Sequence, residues 1–303
     1  MIEINKLVYT VFTPTFNRKE LLFRCFESLK EQTFKQFEWV VVDDGSNDGT
    51  DMVIANLQSN AQFPVRYIWQ RNRGKHCASN LASKIANGDL FLTFDSDDEC
   101  LPNALERLYE FWIQIPLLDR GQFSGVSCLC MTPEGDLIGN NFRSDVVDYK
   151  AGDIESRDHE HGERWGFHRT SIMREFPFPE TSGERFIPEA LVWNRIALKY
   201  RLRCVNEALR IMHYSKDGLS RKMYKIRKDS PSNTLLYYSE QTRLPHNLLS
   251  RWRAGCNYWR FWLATRSPSV KEQTHRPHWL YNFFTFPIGF ALWVVDAART
   301  KNR

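Results

Sequence analysis

The sequence of 303 residues is long enough to bury a large core, and its 42% hydrophobic and 25% charged residues are typical of a globular protein rather than a disordered or fibrous one. Its net charge of +5 conceals two regions of opposite sign: residues 1–200 hold 22 Lys and Arg against 30 Asp and Glu (−8), and residues 201–303 hold 19 against 6 (+13). An acidic region suits a cation-dependent site, and a basic region rich in aromatic residues suits an anionic surface such as phospholipid headgroups or nucleic acid.

Cysteine spacing and the start of the chain bear on the cellular compartment. The seven cysteines form no C-x-x-C pair and no disulfide-rich spacing, so we expect reduced thiols in a cytosol. The first residues contain no basic segment followed by an apolar one, so we do not expect secretion.

Strands and helices alternate over the first hundred residues. Apolar runs predict strands over 7–13, 37–42, 65–69 and 90–94, and helical periodicity predicts helices between them. This alternation predicts an α/β fold with a mostly parallel sheet, right-handed crossovers and flanking helices.

Two of these helices begin at apparent capping signals. Asn17, with Glu20 three residues later, resembles a capping box that opens a helix over 17–32. Thr50 is the expected cap of the next helix. A third helix is expected over 75–87, closed by Gly88.

The strand over 90–94 runs into FDSDDE, which brings Asp95, Asp97 and Asp98 to its carboxyl end. Carboxylates this close repel one another unless a cation lies between them, and oxygen ligands on a short loop suit Mg²⁺ or Mn²⁺ better than zinc. The alternative is a helix cap, with Asp97 or Asp98 opening the helix that begins near Pro102. A cap needs one acidic residue and this loop has four, which favours the metal.

Ligands of such sheets bind beyond the carboxyl ends of the strands, where the loops 13–18, 43–50, 71–75 and 95–99 should converge. Three of these loops carry acids or cations in a pattern suited to a phosphorylated nucleotide with a metal. The sequence contains neither G-x-G-x-x-G nor G-x-x-x-x-G-K-[ST], which argues against a dinucleotide-binding fold and a P-loop enzyme.

The middle of the chain contains fewer signals. Residues 124–140 predict a hairpin around a PEGD turn, and 155–165 form a polar stretch in which a solvated loop is favoured over metal binding by His159 and His161. A further amphipathic helix should open at Pro188 and Glu189.

Four motifs, TPTFNR, VVDDGSNDGT, NRGKHCASN and FDSDDE, follow one another at separations that strongly resemble the family 2 glycosyltransferases with the GT-A fold. The resemblance covers about residues 5–215. It implies an inverting, metal-dependent transfer of a sugar from a nucleotide diphosphate donor, with Mn²⁺ or Mg²⁺ as cofactor.

The resemblance also implies roles for individual residues. Asp44, beside Asp43, would hydrogen-bond the base, and Asp95 would meet the ribose. The residues implied to bind the nucleotide sugar are Thr13, Pro14, Asp43, Asp44, Lys75, Asp95, Asp97 and Arg221. The implied metal ligands are Asp97, with Asp98 sharing that duty, and His213, for which a core position is an equal alternative.

The family places its general base at the start of a helix, usually as the acidic end of a Glu-Asp pair. The matching residues are Pro188 and Glu189, which implies Glu189 as the base. The alternative is an acid favoured at a helix start by the helix dipole. Trp165 and Trp193 are candidates for stacking on the acceptor, with core packing as the alternative.

The resemblance fades beyond about Tyr224. Residues 248–265 predict a helix with Trp252, Cys256, Trp259 and Leu263 on one face and arginines elsewhere, a composition typical of headgroup-level membrane binders. Residues 277–295 contain no Lys, Arg, Asp or Glu. Interfacial or re-entrant membrane contact is favoured, docking on the catalytic domain or on a second subunit of a homo-oligomer comes next, and a transmembrane helix last. The uncharged run argues against nucleic acid.

These observations predict a GT-A catalytic domain over 1–224, with a nucleotide-sugar half over 1–100 and an acceptor half over 101–224, followed by a helical, membrane-associating region over 225–303. The expected activity is transfer of a hexose or N-acetylhexosamine, from a UDP-sugar in preference to others, to a lipid-linked or glycan acceptor. The expected location is the cytoplasmic membrane face, in bacterial surface polysaccharide synthesis. The alternatives are a catalytically silent membrane-binding scaffold and a sugar nucleotidyltransferase, which would need a Gly-rich loop that TPTFNRKE lacks.

Overall fold

The computed structural model describes residues 7–153, 162–213, 223–265, 267, 268, 270 and 279–301. The chain forms two compact units, the first made of Met1–Phe178 and Arg195–Ser215 and the second of Pro179–Asn194 and Lys216–Arg303.

All strands of the described residues belong to the first unit. They are β1 (Tyr9–Thr15), β2 (Phe37–Asp43), β3 (Val65–Trp69), β4 (Leu90–Thr93), β5 (Glu99–Cys100), β6 (Phe123–Met131), β7 (Val146–Tyr149), β8 (Arg164–Arg169) and β9 (Arg201–Ile211). The helices of this unit are α1 (Leu22–Lys30), α2 (Thr50–Ser59), α3 (Lys75–Ile85), α4 (Ala104–Ile113) and α5 (Thr170–Glu175). Residues of both units form α6 (Ala190–Lys199), and the second unit contains α7 (Met223–Lys228), α8 (Pro231–Gln241), α9 (Leu248–Ala264) and α10 (Trp279–Lys301).

The strands form one sheet in the order β3-β2-β1-β4-β8-β6-β9-β5, and β7 also pairs with β9. The first four strands are parallel, as the alternating pattern predicts. Strand β8 is antiparallel to both of its neighbours, and β9 runs parallel to β6 but antiparallel to β5 and β7. The α/β prediction is therefore confirmed, with four parallel strands in the nucleotide-sugar half and one further parallel pair, β6 with β9, in the acceptor half.

The core of this unit is built on β2. Every residue of β2 is buried, including Phe37 and Trp39, because the strand is covered on both faces, as a continuous apolar run predicts. Helix α1 buries Leu22, Phe26 and Leu29 at helical spacing in the same cluster.

Both predicted capping signals are wrong. Helix α1 begins at Leu22 without a side-chain cap, and Asn17 instead adopts a left-handed backbone with φ +50°. The N-cap residue of α2 is Gly49, and Asp48 before it accepts hydrogen bonds through Oδ1 from the Thr50 amide at 3.2 Å and the Thr50 hydroxyl at 2.6 Å. The Asp side chain two residues upstream reaches the first turn, while Thr50 is already helical.

The predicted hairpin over 124–140 forms only in part. Strand β6 is present, and the Ile138 amide donates to the Cys130 carbonyl across a tight turn. Within the described residues the return adds a single bridge, between Met131 and Leu137, rather than a second strand. His159 and His161 lie outside the described residues.

All seven cysteines fall in the described residues, are buried and are free of disulfides. Burial raises the pKa of Cys100 and of Cys130 to about 12, so these thiols stay protonated at neutral pH. The expected reduced state agrees with this arrangement.

Glu184 connects two segments of the second unit. Its carboxylate is 8% exposed and accepts the amides of Ser232 at 2.7 Å and Asn233 at 2.8 Å, at the amino end of α8. A buried carboxylate at a helix start is favourable because it satisfies amides that lack helical partners. Residues 179–194 thus pack with the C-terminal helices, a division that differs from the boundary expected at residue 224.

Helix α9 lies between α8 and α10. The ring of Phe261 stacks on Tyr238 of α8 at 5.8 Å, and Trp259 meets Phe286 of α10 edge to face at 5.2 Å. A Cβ at Gly289 would lie 2.5 Å from the Trp259 Cβ, so glycine permits this close approach. The predicted membrane-binding face of α9 is therefore wrong for Cys256 and Trp259, which are buried.

Among the helices that the structure describes, none is both long enough and apolar enough to cross a membrane.

Two glycines provide a test of the packing around β1. A Cβ at Gly88 would lie 2.3 Å from the Tyr9 carbonyl carbon, whereas a Cβ at Gly121 would meet nothing within 4 Å. We expect Gly88→Ala to lower the free energy of unfolding by about 3 kcal/mol, because backbone must move, and Gly121→Ala to change it by less than about 0.5 kcal/mol. Urea denaturation of both variants measures this, and equal stabilities would contradict the close approach of Gly88 to β1.

Candidate active site

Four loops leave the carboxyl ends of β1, β2, β3 and β4, and the parallel pairing of these strands puts all four at one edge of the sheet. The loop after β1 is tied to the loop after β2. The Asn17 amide donates to the Ser46 hydroxyl at 2.8 Å, and the Asn17 side chain accepts the Asn47 amide at 2.9 Å. The left-handed Asn17 is therefore a connector between loops rather than a helix cap.

The adjacent carboxylates Asp43 and Asp44 hold the next two loops. Asp44 is 6% exposed and accepts the amides of Arg73 at 2.8 Å and Gly74 at 2.7 Å, as well as the Gln70 side chain. Because these contacts engage both of its oxygens, Asp44 fixes the loop that leads into α3.

Asp43 is engaged in the same way. It accepts the Tyr67 hydroxyl at 2.7 Å and the Ser46 amide at 2.8 Å. Burial and the neighbouring Asp43 raise the pKa of Tyr67, which keeps that hydroxyl a donor. Contact of Asp43 or Asp44 with a nucleotide base stays a prediction.

The loop after β4 is anchored by Arg210 at the end of β9. The guanidinium donates to Asp98 through Nε at 2.7 Å and through Nη2, and Nη2 also reaches Asp95 at 2.9 Å. Asp98 is 2% exposed and Arg210 8% exposed. Burial, Asp95 and Asp97 raise the pKa of Asp98 and Arg210 opposes that shift, so the negative charge of Asp98 depends on Arg210.

Asp95 has a second cation beside it. The Lys75 Nζ lies 2.7 Å from its Oδ1. Burial alone would raise the pKa of Asp95, but Lys75 and Arg210 outweigh it and hold that pKa well below its usual value. Lys75 and Asp95, each predicted to bind the nucleotide sugar, are thus brought together, and Asp95 is ionised.

Asp97 contacts a partly exposed cation, as Asp95 does through Lys75. Its side chain is 24% exposed and meets the half-exposed Arg18 at 3.1 Å. Arg24 donates to the Asp97 carbonyl at 3.3 Å and contacts Glu99 at 3.2 Å. Pairs this exposed contribute little to stability, since solvent screens them, and they exchange readily with a ligand.

The acids of this loop are therefore balanced by protein cations, and the helix-cap alternative is wrong. Helix α4 begins at Ala104 after Asn103, while Asp97 and Asp98 bind arginines.

Few side chains of this acidic loop are available as metal ligands. Within the described ranges, no three His, Cys, Asp or Glu side chains are grouped so as to hold an ion. The His213 Nε2 lies 2.8 Å from Glu99, and Asp98 is engaged by Arg210. Of the three predicted ligands, Asp98 is buried, whereas the side chains of Asp97 and His213 are 24% and 25% exposed.

A partly exposed carboxylate such as Asp97 fits Mg²⁺ or Mn²⁺, because such ions take their remaining ligands from water and from substrate phosphates. It does not fit a structural zinc site, which needs four protein ligands.

Three other predicted residues have positions that limit their roles. Thr13 is fully buried and its hydroxyl accepts the Trp39 indole at 2.9 Å, which leaves its backbone, beside the half-buried Pro14, for any nucleotide contact. Trp165 is 4% exposed and donates to the Thr93 carbonyl at 2.8 Å, so it is a core residue and its predicted acceptor role is wrong.

The remaining predicted residues are not placed against this site. Arg221 lies outside the described residues. Glu189 and Trp193 belong to the second unit, where the Glu189 carbonyl accepts the amides of Val192 and Trp193 at the start of α6. The predicted helix start is therefore present, and the roles of Glu189 as base and Trp193 as acceptor contact stay predictions.

Three arginines of the site were not predicted from the sequence: Arg18, Arg24 and Arg210. A signal existed for Arg210, which stands between the apolar Leu209 and Ile211 in a strand. A charged residue in such a position usually has a buried partner of opposite charge.

Comparison with known proteins identifies the first third of the chain. Residues 10–119 match the family described as Glycosyl transferase family 2. A GalNAc(5)-diNAcBac-PP-undecaprenol beta-1,3-glucosyltransferase of Campylobacter jejuni is 36% identical over 103 residues, which are 33% of this chain and 33% of that protein. The match thus spans about a third of that curated relative.

Two solved structures resemble the whole chain. S. aureus TarS 1-349 in complex with UDP-GlcNAc has a TM-score of 0.60 at 18% identity and covers 93% of this chain and 79% of its own. The mannosyltransferase PcManGT of Pyrobaculum calidifontis, in complex with GDP-Man and Mn²⁺, has a TM-score of 0.57 at 16% identity and covers 96% and 86%. Identities this low show the fold alone, which confirms the predicted GT-A architecture.

The match to the family 2 glycosyltransferases covers residues 10–119, about a third of the chain, and the similarity of the remaining residues to solved structures is one of fold.

The buried ion pair of Arg210 is testable against a matched pair on the same strand. Arg203 binds Asp148 with two hydrogen bonds of 2.8 Å, but Asp148 is 34% exposed. We expect Arg210→Met to lower the free energy of unfolding by about 3–5 kcal/mol, because Asp98 loses its partner in the interior, and Arg203→Met by about 1 kcal/mol. Urea unfolding measures both.

The same variant should respond to pH in a defined direction. Without Arg210 the folded-state pKa of Asp98 rises further above its unfolded value. Between these two pKa values the folded protein keeps Asp98 protonated and the unfolded chain does not, so folding takes up a proton and becomes less favourable as the pH rises. The destabilisation by Arg210→Met should therefore be larger at about pH 8 than at about pH 5. A destabilisation that is equal at both values would contradict the burial of Asp98.

Proposed function

We propose that this protein is an inverting glycosyltransferase that moves a hexose or N-acetylhexosamine from a nucleotide diphosphate sugar to an acceptor hydroxyl. The observation on which this rests is the position of Asp97 in the region that matches the family 2 model: a partly exposed acid on the loop after β4 that contacts Arg18, two residues after Asp95, which contacts Lys75. An exposed acid among cations suits a diphosphate that arrives with a divalent ion.

The donor we favour is a UDP-sugar. The structure of S. aureus TarS contains UDP-GlcNAc, whereas PcManGT contains GDP-Man, so the shared fold accepts more than one nucleotide. The Asp44 and Gly74 contact shapes the loop that would face the base, and Pro14 with the Thr13 backbone would form the opposite wall.

Lys75, Arg18 and the predicted Arg221 would bind the diphosphate. Breaking the sugar–phosphate bond leaves a doubly charged leaving group, and fixed cations stabilise that charge as it develops. Asp97 would hold Mn²⁺ or Mg²⁺, and Asp98 and His213 are the other predicted ligands. The ion would further neutralise the charge of the diphosphate.

Glu189 would act as general base. An acceptor hydroxyl is a weak nucleophile at neutral pH, so a carboxylate within hydrogen-bond reach must take its proton during attack. A single base opposite the leaving group gives inversion at the anomeric carbon. Trp193, four residues later on α6, would contact the acceptor.

The acceptor we favour is a lipid-linked saccharide at the cytoplasmic face of a bacterial membrane, in surface polysaccharide synthesis. The name of the C. jejuni relative describes a lipid-linked acceptor. The charge of +13 over residues 201–303 would favour a peripheral position on an anionic membrane surface.

A catalytically silent scaffold with the same fold is the alternative from another class. It would retain the loops and their ion pairs but would not turn over a donor. A sugar nucleotidyltransferase would instead release pyrophosphate from a nucleoside triphosphate. Assay of both reactions separates the three functions.

Substitution of Asp97 tests the enzyme directly. We expect Asp97→Ala to lower metal-dependent donor turnover by about 100-fold or more, because the diphosphate loses its metal-holding carboxylate, and EDTA to have a similar effect on the wild type. Release of UDP from UDP-sugars with Mn²⁺ or Mg²⁺ is the measurement.

The control is Asp119→Ala. Asp119 precedes β6, at the end of the strand opposite the site, and should leave turnover unchanged. Wild-type protein that is inactive with every nucleotide sugar and acceptor tested would favour the scaffold.

Substitution of Glu189 tests the base. Glu189→Gln keeps the shape of the side chain but cannot accept the proton, so transfer should fall by about 100-fold to 10,000-fold while UDP affinity stays within about twofold. Calorimetric UDP binding and acceptor glycosylation measure the two quantities. A variant with normal transfer would show that Glu189 is only a helix-start acid.

A further inference from the structure

Helix α10 has an outward face made only of apolar side chains. The exposed residues occupy most positions around the buried Thr285, Gly289 and Asp296, and they include two large aromatics, Phe283 at 78% and Phe284 at 66% exposed. The exposed positions over 283–298 are Phe283, Phe284, Phe286, Pro287, Ile288, Phe290, Ala291, Leu292, Val294, Val295 and Ala298.

The opposite face of the same helix packs within the second unit. Thr285, Gly289 and Asp296 are its buried positions, and they pack on α9. The carboxylate of Asp296, the only acid over 283–298, is 6% exposed and receives Arg260 at 2.9 Å. Its charge is therefore neutralised, and no charged side chain interrupts the outward face in this range.

The outward face is long as well as apolar. Sixteen helical residues extend for about 24 Å, and apolar patches of this kind on a protein surface usually mark a contact with a partner or a membrane. Because the opposite face packs on α9 and contains an ion pair, only one side of the helix is available to lipid. A helix with one apolar side suits a position in the interfacial plane of a bilayer.

Charge decides between the possible occupants. Residues 201–303 carry a net charge of +13, and Arg299, Lys301 and Arg303 follow the apolar stretch in the sequence. Two copies that met through α10 would bring two such charges together, and like charges oppose association. An anionic lipid surface would instead attract each Lys or Arg near it by about 1 kcal/mol, and it would cover the apolar face at the same time.

We propose that α10 lies in the plane of an anionic phospholipid bilayer, with the outward face that contains Phe283, Phe284, Ile288 and Val295 inserted between the headgroups. The helix acts as an in-plane anchor, and α9 holds it in position through Trp259, Gly289 and the Arg260–Asp296 ion pair. The proposal specifies the membrane contact of the function proposed above, and it rests on that function only for its biological purpose.

Vesicle flotation of the full-length protein, without substrate, tests the anchor. The wild type should float with vesicles of phosphatidylcholine containing about 30% phosphatidylglycerol, and binding should weaken with phosphatidylcholine alone or in about 1 M salt. The double variant Phe283→Asp/Phe284→Asp should lower the partition coefficient by at least about tenfold, since each buried phenylalanine accounts for about a factor of ten.

A matched control uses another pair of adjacent exposed apolar residues. Leu117 and Leu118 are 76% and 95% exposed and belong to the first unit, so Leu117→Asp/Leu118→Asp should float like the wild type. A second pair at the far end of the face, Val294→Asp/Val295→Asp, should also lose binding, which guards against misfolding of the first variant. Circular dichroism should show equal helix content in all four proteins.

Several outcomes would overturn the proposal. They are absence of flotation by the wild type, flotation of both α10 variants at the wild-type level, and equal loss in the Leu117/Leu118 control. Sedimentation of a wild-type dimer that the α10 substitutions dissociate, without vesicle binding, would assign the face to a second copy. Donor turnover measured in the absence of vesicles tests the catalytic proposal separately, so either proposal can fail alone.

Discussion

The buried contact between Arg210 and the pair Asp95 and Asp98 determines which portion of the acidic loop is available to a ligand. Burying a carboxylate is costly unless a partner compensates the lost hydration, and the Arg210 guanidinium compensates Asp98 here while it shares the partly exposed Asp95 with Lys75. The backbone around Arg210 also pairs with the loop, since Cys100 of β5 is opposite Arg210 in the sheet. Asp98 is thus held in the interior, whereas the side chains of Asp95 and Asp97 are 29% and 24% exposed.

The same arrangement recurs in the other loops of this edge. Asp44 fixes the turn before α3, Asp43 fixes the turn after β2, and Asn17 joins the loop after β1 to that turn. Residues that a motif marks as ligand-binding thus act first as connectors between loops. Such mutual hydrogen bonding holds the loops in place before a ligand arrives, which lowers the entropy lost when the ligand binds.

Sequence patterns were sufficient for the strands of the parallel block and for the position of the acidic loop. Continuous apolar runs give β2 and β4, and a strand that ends in DSDD leaves its acids at the carboxyl edge. The distinction between Asp97 and Asp98 could not be predicted, because it depends on an arginine 112 residues away from Asp98. The predictions for Trp165 and for Trp259 of α9 were wrong for a related reason. Composition shows that a residue is aromatic, but only packing shows that a neighbour covers it.

The separation of charge along the chain means that the site must attract an anionic ligand within an acidic region. Residues 1–200 carry −8, so their net field opposes the approach of a nucleotide diphosphate, which is itself anionic. Over a Debye length of about 8 Å in physiological salt, however, only nearby charges act on the ligand. Lys75, Arg18 and Arg24, with the buried Arg210, lie within contact distance of the acidic loop and offset its carboxylates where a diphosphate would bind. Local cations, rather than the net charge of the domain, therefore make an acidic domain suitable for an anionic donor.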